Sequence, residues 1–243
     1  MRVIDISGPI WAAGPDWSGM WGLSNQYPTY NLSSIEIESA GRKYSVDLFE
    51  GVHGKLGTYL EPPKFKKSEG YIDEHIEEGQ FMSLNVNVQT EKLVMIDAYV
   101  LQIPYDKLSI KDGRPFISLE DIEKAESGKE KIPENSSILI STGYGEEYWV
   151  KEDYVNNSWF IKKDALYYLI DKKPFLIGGD SPLWENEVNP EGFFDRFYDA
   201  GIFRLAGCIR LEKIKKFRVK LTALHWTICG NGARPVHAIV IEE

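Results

Sequence analysis

The chain has 243 residues, 43% of them hydrophobic and 27% charged, and a formal net charge of −9 at pH 7. That length suffices for one sizeable core, and the composition is that of an ordinary globular protein. The acidic balance excludes non-specific attraction to nucleic acid or to an anionic membrane surface, since both would repel it. Two cysteines, Cys208 and Cys229, cannot build a disulfide framework, and neither has a second Cys at metal-ligand spacing. Both read as small buried hydrophobes. The opening "MRVIDISGPI" is too short and too polar for a signal peptide, and no apolar run is long enough to span a membrane. A cytoplasmic protein is the expectation.

In chain order, Arg2 to Ile6 alternates as a strand. Ser34 to Glu38 and Lys43 to Leu48 follow as two strands separated by the turn "AGR". Ser83 to Val88 and Leu93 to Ile103 are further strand candidates. A helix is predicted over Leu119 to Ser127, with Leu119, Ile122 and Ala125 at helical spacing. "SILIS", Ser137 to Ser141, reads as a buried strand ended by "TGYG". Phe160 to Asp171 reads as helical, with Phe160, Ala165, Leu166 and Leu169 on one side. Phe175 to Ile177 reads as a strand ended by "GGDSP", and Phe193 to Ala200 as a short helix closed by Gly201. Phe217, Val219, Leu221 and Ala223 alternate with polar residues along a strand with one wet face. Asn231-Gly232 signals a hairpin leading back into a strand over Val236 to Ile241. No repeat, low-complexity tract or Gly/Ser linker intervenes, so residues 1–243 read as a single domain of mixed α/β type.

One stretch has the frame of a metal site without its histidines: Lys55 to Phe65, "KLGTYLEPPKF". It resembles the His-x-Gly-Thr-His-x-Asp-x-Pro-x-His motif of the cyclase family of metal-dependent hydrolases, best known from the bacterial kynurenine formamidases. "VIDISGPI" is similar to that family's opening strand, "ILISTGYG" and "LIGGDSP" to two strand ends, "AGIFRLAGCIRLEKI" to the segment carrying a family glutamate, and "GNGARPVHAI" to its closing turn. The shared order of these segments carries the resemblance. It implies a mixed, barrel-like sheet with peripheral helices, assembly as a homodimer or homotetramer, a small-molecule ligand, and an arylformamidase-like hydrolase of C–N bonds using zinc or manganese.

The ligand positions are substituted. Where the resemblance places metal-binding and acid–base residues, this chain has Lys55, Tyr59, Glu61 and Phe65, and farther on Phe194 and Ala206. Zinc and manganese need several imidazole or carboxylate donors converging on one point. A Lys ammonium repels the ion, Phe and Ala offer no lone pair, and Glu61 alone is an ordinary ligand. No metal or other cofactor is therefore expected.

Lys55, Tyr59 and Glu61 are separated by even numbers, so an extended chain points all three to one face. Three fates are open to that face. Lys55 and Glu61 can form a structural ion pair, with Phe65 and Phe194 packed over it. Lys55, Tyr59 and Glu61 can serve a metal-free catalysis or ligand-binding site, the Lys binding a carboxylate or oxyanion and Tyr59 or Glu61 moving a proton. A metal can also be held by relocated ligands such as His53; the remaining histidines, His75, His225 and His237, read as structural. Trp11, Trp17, Phe65 and Phe194 are the candidate substrate-binding residues, with Trp21 and Trp184 as further members of an aromatic wall. Whether the chain is an enzyme is left open among altered metal-free catalysis, loss of activity, a small-molecule receptor and a hydrolase with relocated metal ligands.

Overall fold

The computed structural model describes residues 1–10, 31–50, 54–62, 91–149, 151, 154–225 and 233–243. Thirteen strands and four α-helices are described. The strands are β1 (Arg2–Asp5), β2 (Asn31–Ser39), β3 (Arg42–Glu50), β4 (Tyr59–Glu61), β5 (Ile96–Gln102), β6 (Ser109–Lys111), β7 (Arg114–Ile117), β8 (Ser137–Ser141), β9 (Phe160–Ile161), β10 (Leu176–Gly179), β11 (Phe203–Ala206), β12 (Arg218–His225) and β13 (Arg234–Glu242). The helices are α1 (Leu119–Glu126), α2 (Tyr144–Tyr148), α3 (Lys163–Asp171) and α4 (Phe194–Asp199).

The main sheet runs β1-β13-β12-β5-β8-β10-β11-β4, and β4 pairs again with β13. That last pairing closes a seven-stranded mixed barrel from β4, β5, β8 and β10 to β13, with β1 added along the far half of β13. The core of the barrel is parallel, β5 against β8 against β10 against β11, and the closing strands are antiparallel.

Closure gives each strand an inner and an outer face, and period-2 alternation sorts the side chains between them. Val100, Leu139, Leu205, Leu221, Ala238 and Val240 belong to one core cluster, which fills the lumen. Tyr99, Leu101, Ile138, Ile140 and Ile177 belong to the other, which packs beneath Ile122 of α1 and Leu166 and Leu169 of α3. This double burial explains why "SILIS" is apolar on both faces. No described helix is long and apolar enough to cross a membrane.

Several sequence expectations need correction. Phe160 and Ile161 are not helical. They form β9, pairing in parallel with Phe116 and Ile117, and α3 starts only at Lys163. The helical expectation also fails on spacing, since at 3.6 residues per turn Phe160 falls on the side opposite Ala165, Leu166 and Leu169; it joins a three-stranded sheet with β6 and β7 instead. The strand expected from Leu93 begins at Ile96, after a 3-10 turn at Glu91–Leu93. β12 and β13 are antiparallel neighbours as the hairpin signal required; the Asn231-Gly232 turn and the Ser83–Val88 strand lie outside the described residues.

α2 was not apparent in "TGYGEEYW", and its seat depends on a missing side chain. A Cβ on Gly145 would stand 2.1 Å from the Cys208 backbone oxygen and 3.0 Å from Cβ of Asp180. Gly145→Ala is therefore expected to lower stability by about 2 kcal/mol through overpacking. Urea denaturation checks this, and a variant as stable as the parent would show that α2 is not held against the Cys208 backbone in this way.

Candidate functional site

The site is built from the start of β4 outward. Gly57 adopts φ +69°, a left-handed turn that glycine tolerates freely. Thr58, next to it, is buried: its hydroxyl donates to the Gly207 carbonyl at 2.6 Å and accepts from the Gly8 amide at 2.7 Å. One side chain thus ties the ends of β1 and β11 to the start of β4. Leu60 then enters the lumen, while Tyr59 and Glu61 point to the outer face.

Register with β11 decides what they meet. Glu61 lies directly across from Arg204, and Tyr59 directly across from Ala206. Cross-strand partners on one face are close neighbours, so the small Ala206 leaves room for the Tyr59 ring and Arg204 meets the carboxylate. Glu61 is 1% exposed. Its Oε1 is 2.8 Å from the Lys55 ammonium; its Oε2 accepts from Arg204 Nη1 at 2.8 Å and from the Tyr198 hydroxyl at 2.9 Å. Arg204 Nη2 donates to the Pro182 carbonyl at 2.6 Å. The guanidinium is boxed by aromatic rings, 4.8 Å from Trp184, 5.6 Å from Phe194 and 5.8 Å from Tyr59, an arrangement that favours a desolvated cation.

Protonation follows from these contacts. Burial pushes the Glu61 carboxyl up, but Arg204 and then Lys55 outweigh it and hold the group at about 2. Burial works against the Lys55 charge too, yet Tyr59 and Glu61 raise its pKa above the ordinary value. Tyr59 and Tyr198 are both pushed up, chiefly by burial. At neutral pH the centre is a carboxylate, two cations and two neutral phenols.

A second buried carboxylate braces the neighbourhood. Asp180, at the end of β10, accepts from the Thr142 amide at 2.9 Å, the Thr142 hydroxyl at 2.8 Å, the Gly143 amide at 2.9 Å and Trp159 Nε1 at 2.8 Å. It fastens the turn after β8, and its donors leave it a structural anchor. Ser181 beside it donates to the Trp159 carbonyl at 2.6 Å and to the Leu183 carbonyl at 3.1 Å.

The structure brings Lys55, Tyr59 and Glu61 together, with Phe194 stacked on Tyr198 at 5.7 Å and Ala206 behind the Tyr59 ring. Trp184 is fully buried under Arg204 and contributes to the box around the cation. Trp11, Trp17, Trp21, Phe65, His53 and His75 lie outside the described residues. His225 closes β12, and His237 is an exposed residue of β13, 3.5 Å from Asp5. Sequence reasoning missed Arg204 and Tyr198. A signal for Arg204 exists: it is the one charge in "IFRLAG", on the same strand face as Ala206.

Would a divalent ion fit here? Both Glu61 oxygens are taken by cationic or hydroxyl donors, and two positive groups stand where an ion would have to approach. Among the described residues no three His, Cys, Asp or Glu side chains gather closely enough to hold a metal. The described residues of this centre therefore do not suit zinc or manganese.

A closed mixed barrel with outer helices is the architecture of the cyclase-type fold. The chain belongs to the cyclase family: residues 4–186 match the family described as "Putative cyclase". Solved structures agree in fold. A "potential metal-dependent hydrolase with cyclase activity" is 20% identical, with TM-score 0.64 over 100% of this chain and 99% of that one. A predicted metal-dependent hydrolase from Bacillus stearothermophilus is 18% identical, with TM-score 0.65 over 100% and 98%. An isatin hydrolase bound to the product analogue thioisatinate is 16% identical, with TM-score 0.72 over 99% and 92%. No protein of curated function matches the sequence.

The buried charges make acid stability a direct readout. Glu61 is lowered from 4.5 to about 2, so its contribution is fully present above the unfolded-state value and is lost as pH falls toward the folded-state one. The difference corresponds to about 3 kcal/mol. Chemical denaturation from neutral pH down to about pH 2 should show wild-type stability falling through this window and a flatter profile for Glu61→Gln. Parallel profiles would mean that Glu61 is not held between the two cations.

Proposed function

We propose that this chain is a metal-independent member of the cyclase family, a small-molecule binding protein that takes an anionic group at Lys55, with the buried Arg204 charge paired to Glu61 beneath it. The observation that carries this is the occupation of both Glu61 oxygens by Lys55 and Arg204, each at 2.8 Å. The family's one remaining carboxylate position is committed to protein cations, so it is a poor donor for a divalent ion.

The same contacts favour binding over turnover. A general acid or base works best with a pKa near the operating pH. Here Glu61 is held at about 2 and Lys55, Tyr59 and Tyr198 are all raised, so each keeps one protonation state around neutrality. A raised Lys55 is likewise unsuited to nucleophilic attack, which needs the neutral amine. Lys55 is the charged member of the centre with access to solvent, its side chain 31% exposed, and Phe194 is a part-buried ring of the same cluster, 5.6 Å from the Arg204 guanidinium. An aromatic carboxylate suits that pairing, and the thioisatinate held by a structural relative supplies a probe of this class.

Metal analysis of protein purified without chelator is expected to find zinc and manganese far below one equivalent. Calorimetric titration with thioisatinate should give binding that chelators leave unchanged and that Lys55→Gln weakens by about tenfold or more, about 1.4 kcal/mol. A stoichiometric transition ion at this centre, or isatin hydrolysis that added metal restores, would sink the proposal. Chelator-resistant hydrolysis abolished by Lys55→Gln would instead make the site a metal-free catalyst.

A further inference from the structure

The loop after β10 supports the Glu61 centre at two points. Its Pro182 carbonyl accepts from Arg204 Nη2 at 2.6 Å, and the Trp184 ring lies 4.8 Å from the same guanidinium. Glu185 then turns the chain toward α4: its Oε1 accepts from the Glu191 amide at 2.9 Å and its Oε2 from the Gly192 amide at 3.2 Å. Tyr198 on α4 reaches back to Glu61. One segment thus sets both the support of Arg204 and the entry to the helix that brings Tyr198.

What holds that segment is a second arginine. Arg114, the first residue of β7, is only 8% exposed. Its Nη2 donates to the Leu183 carbonyl and its Nη1 to the Glu185 carbonyl, each at 3.0 Å. Its Nε donates to the Ser158 carbonyl and its Nη2 also to the Ser158 hydroxyl, each at 2.9 Å. Between the two loop contacts, the Ile161 amide of β9 donates to the Trp184 carbonyl at 3.0 Å. Successive carbonyls from Pro182 to Glu185 are therefore bound by distant donors, Arg204 on the first and the β6–β7–β9 sheet on the rest. The hydrogen-bond acceptors of Arg114 are uncharged, so its planar fork acts through direction rather than through charge neutralisation.

We propose that Arg114 is a positioning residue of the Glu61 centre: it clamps Leu183 and Glu185 from β7 and so keeps Pro182 and Trp184 where they hold Arg204 against Glu61. Its hydrogen bonds go to the loop and to Ser158, not to Glu61 or Arg204, so its influence passes through the loop. Without the fork the loop is free to relax. Arg204 then loses a buried acceptor, which is costly for a desolvated donor, and its pair with Glu61 weakens. The consequence for a ligand rests on the reading of this centre as an anion-binding site; the link through the loop does not.

A double-mutant cycle tests this, read by urea denaturation at neutral pH, with far-UV circular dichroism to confirm folding. Arg114→Lys keeps the charge and removes the fork. Its destabilising effect should be smaller in a Glu61→Gln background than in wild type, by about fivefold or more in the unfolding constant, because no charge pair is left for the loop to hold. Equal losses in the two backgrounds would overturn the proposal and leave Arg114 a brace of its own loop. Should Arg114→Lys fail to fold, Ser158→Ala, which removes one acceptor of Nη2, takes its place in the cycle; coupling of the same sign is expected, and additivity again overturns the proposal. Calorimetric titration with thioisatinate adds a ligand arm, in which folded Arg114→Lys should bind about tenfold more weakly than wild type. Unchanged affinity would count against positioning as firmly as additivity does. Coupling in the cycle with no thioisatinate binding by wild type would uphold the role of Arg114 and remove the anion-binding reading instead.

Discussion

A carboxylate with almost no access to solvent must be neutralised by something, and in this protein two side-chain cations do it. Glu61 sits under the outer face of the barrel with Lys55 on one oxygen and Arg204 on the other. Removing two charges from water is costly, and their attraction offsets that cost only when the remaining donors and acceptors are also satisfied. Tyr198 completes the carboxylate, the Pro182 carbonyl takes a second guanidinium nitrogen, and three aromatic rings face the cation, while Arg204 Nε is buried with no hydrogen-bond partner among the described residues. The positions of α4 and of the loop after β10 relative to β4 depend on this cluster.

The cluster also organises the strand ends around it. A divalent ion pulls carboxylates and imidazoles together from several strands. A guanidinium can do part of the same organising work, because it offers five donors and positive charge in a planar frame. Arg204 comes from β11 and reaches Glu61 on β4 and Pro182 beyond β10, spanning three strand ends. Thr58 and Asp180 hold the surrounding turns independently of that charge. The scaffold therefore stands on hydrogen bonds that do not involve the site's chemistry, which leaves the site free to change.

Much of the architecture was legible because burial leaves periodic marks. "SILIS" is apolar on both faces because parallel neighbours and helices cover it, and its limits, Ser137 and Ser141, were read directly. Phe160 and Ile161 show the limit of that method: two apolar residues just ahead of a helical pattern are easily drawn into it, yet β9 pairs them with β7. In the candidate site, the even spacing of Lys55, Tyr59 and Glu61 revealed a common face, since alternation is a local property of extended chain. Arg204 lies 143 residues from Glu61 along the chain. A lone charge in an apolar strand shows that it needs a partner and says nothing about which.

By itself the sequence determined which residues alternate, where the apolar strands lie, and that the donors of an ordinary metal site are missing from the motif that resembles one. Only the tertiary structure decided that β4 runs beside β11 in a register that sets Glu61 against Arg204 and Tyr59 against Ala206. Register is a relation between distant segments, fixed when the barrel closes and its lumen fills, so no stretch of either strand encodes it alone. The meaning of Lys55 changes with that pairing: an isolated ammonium becomes one arm of a buried, three-residue charge cluster.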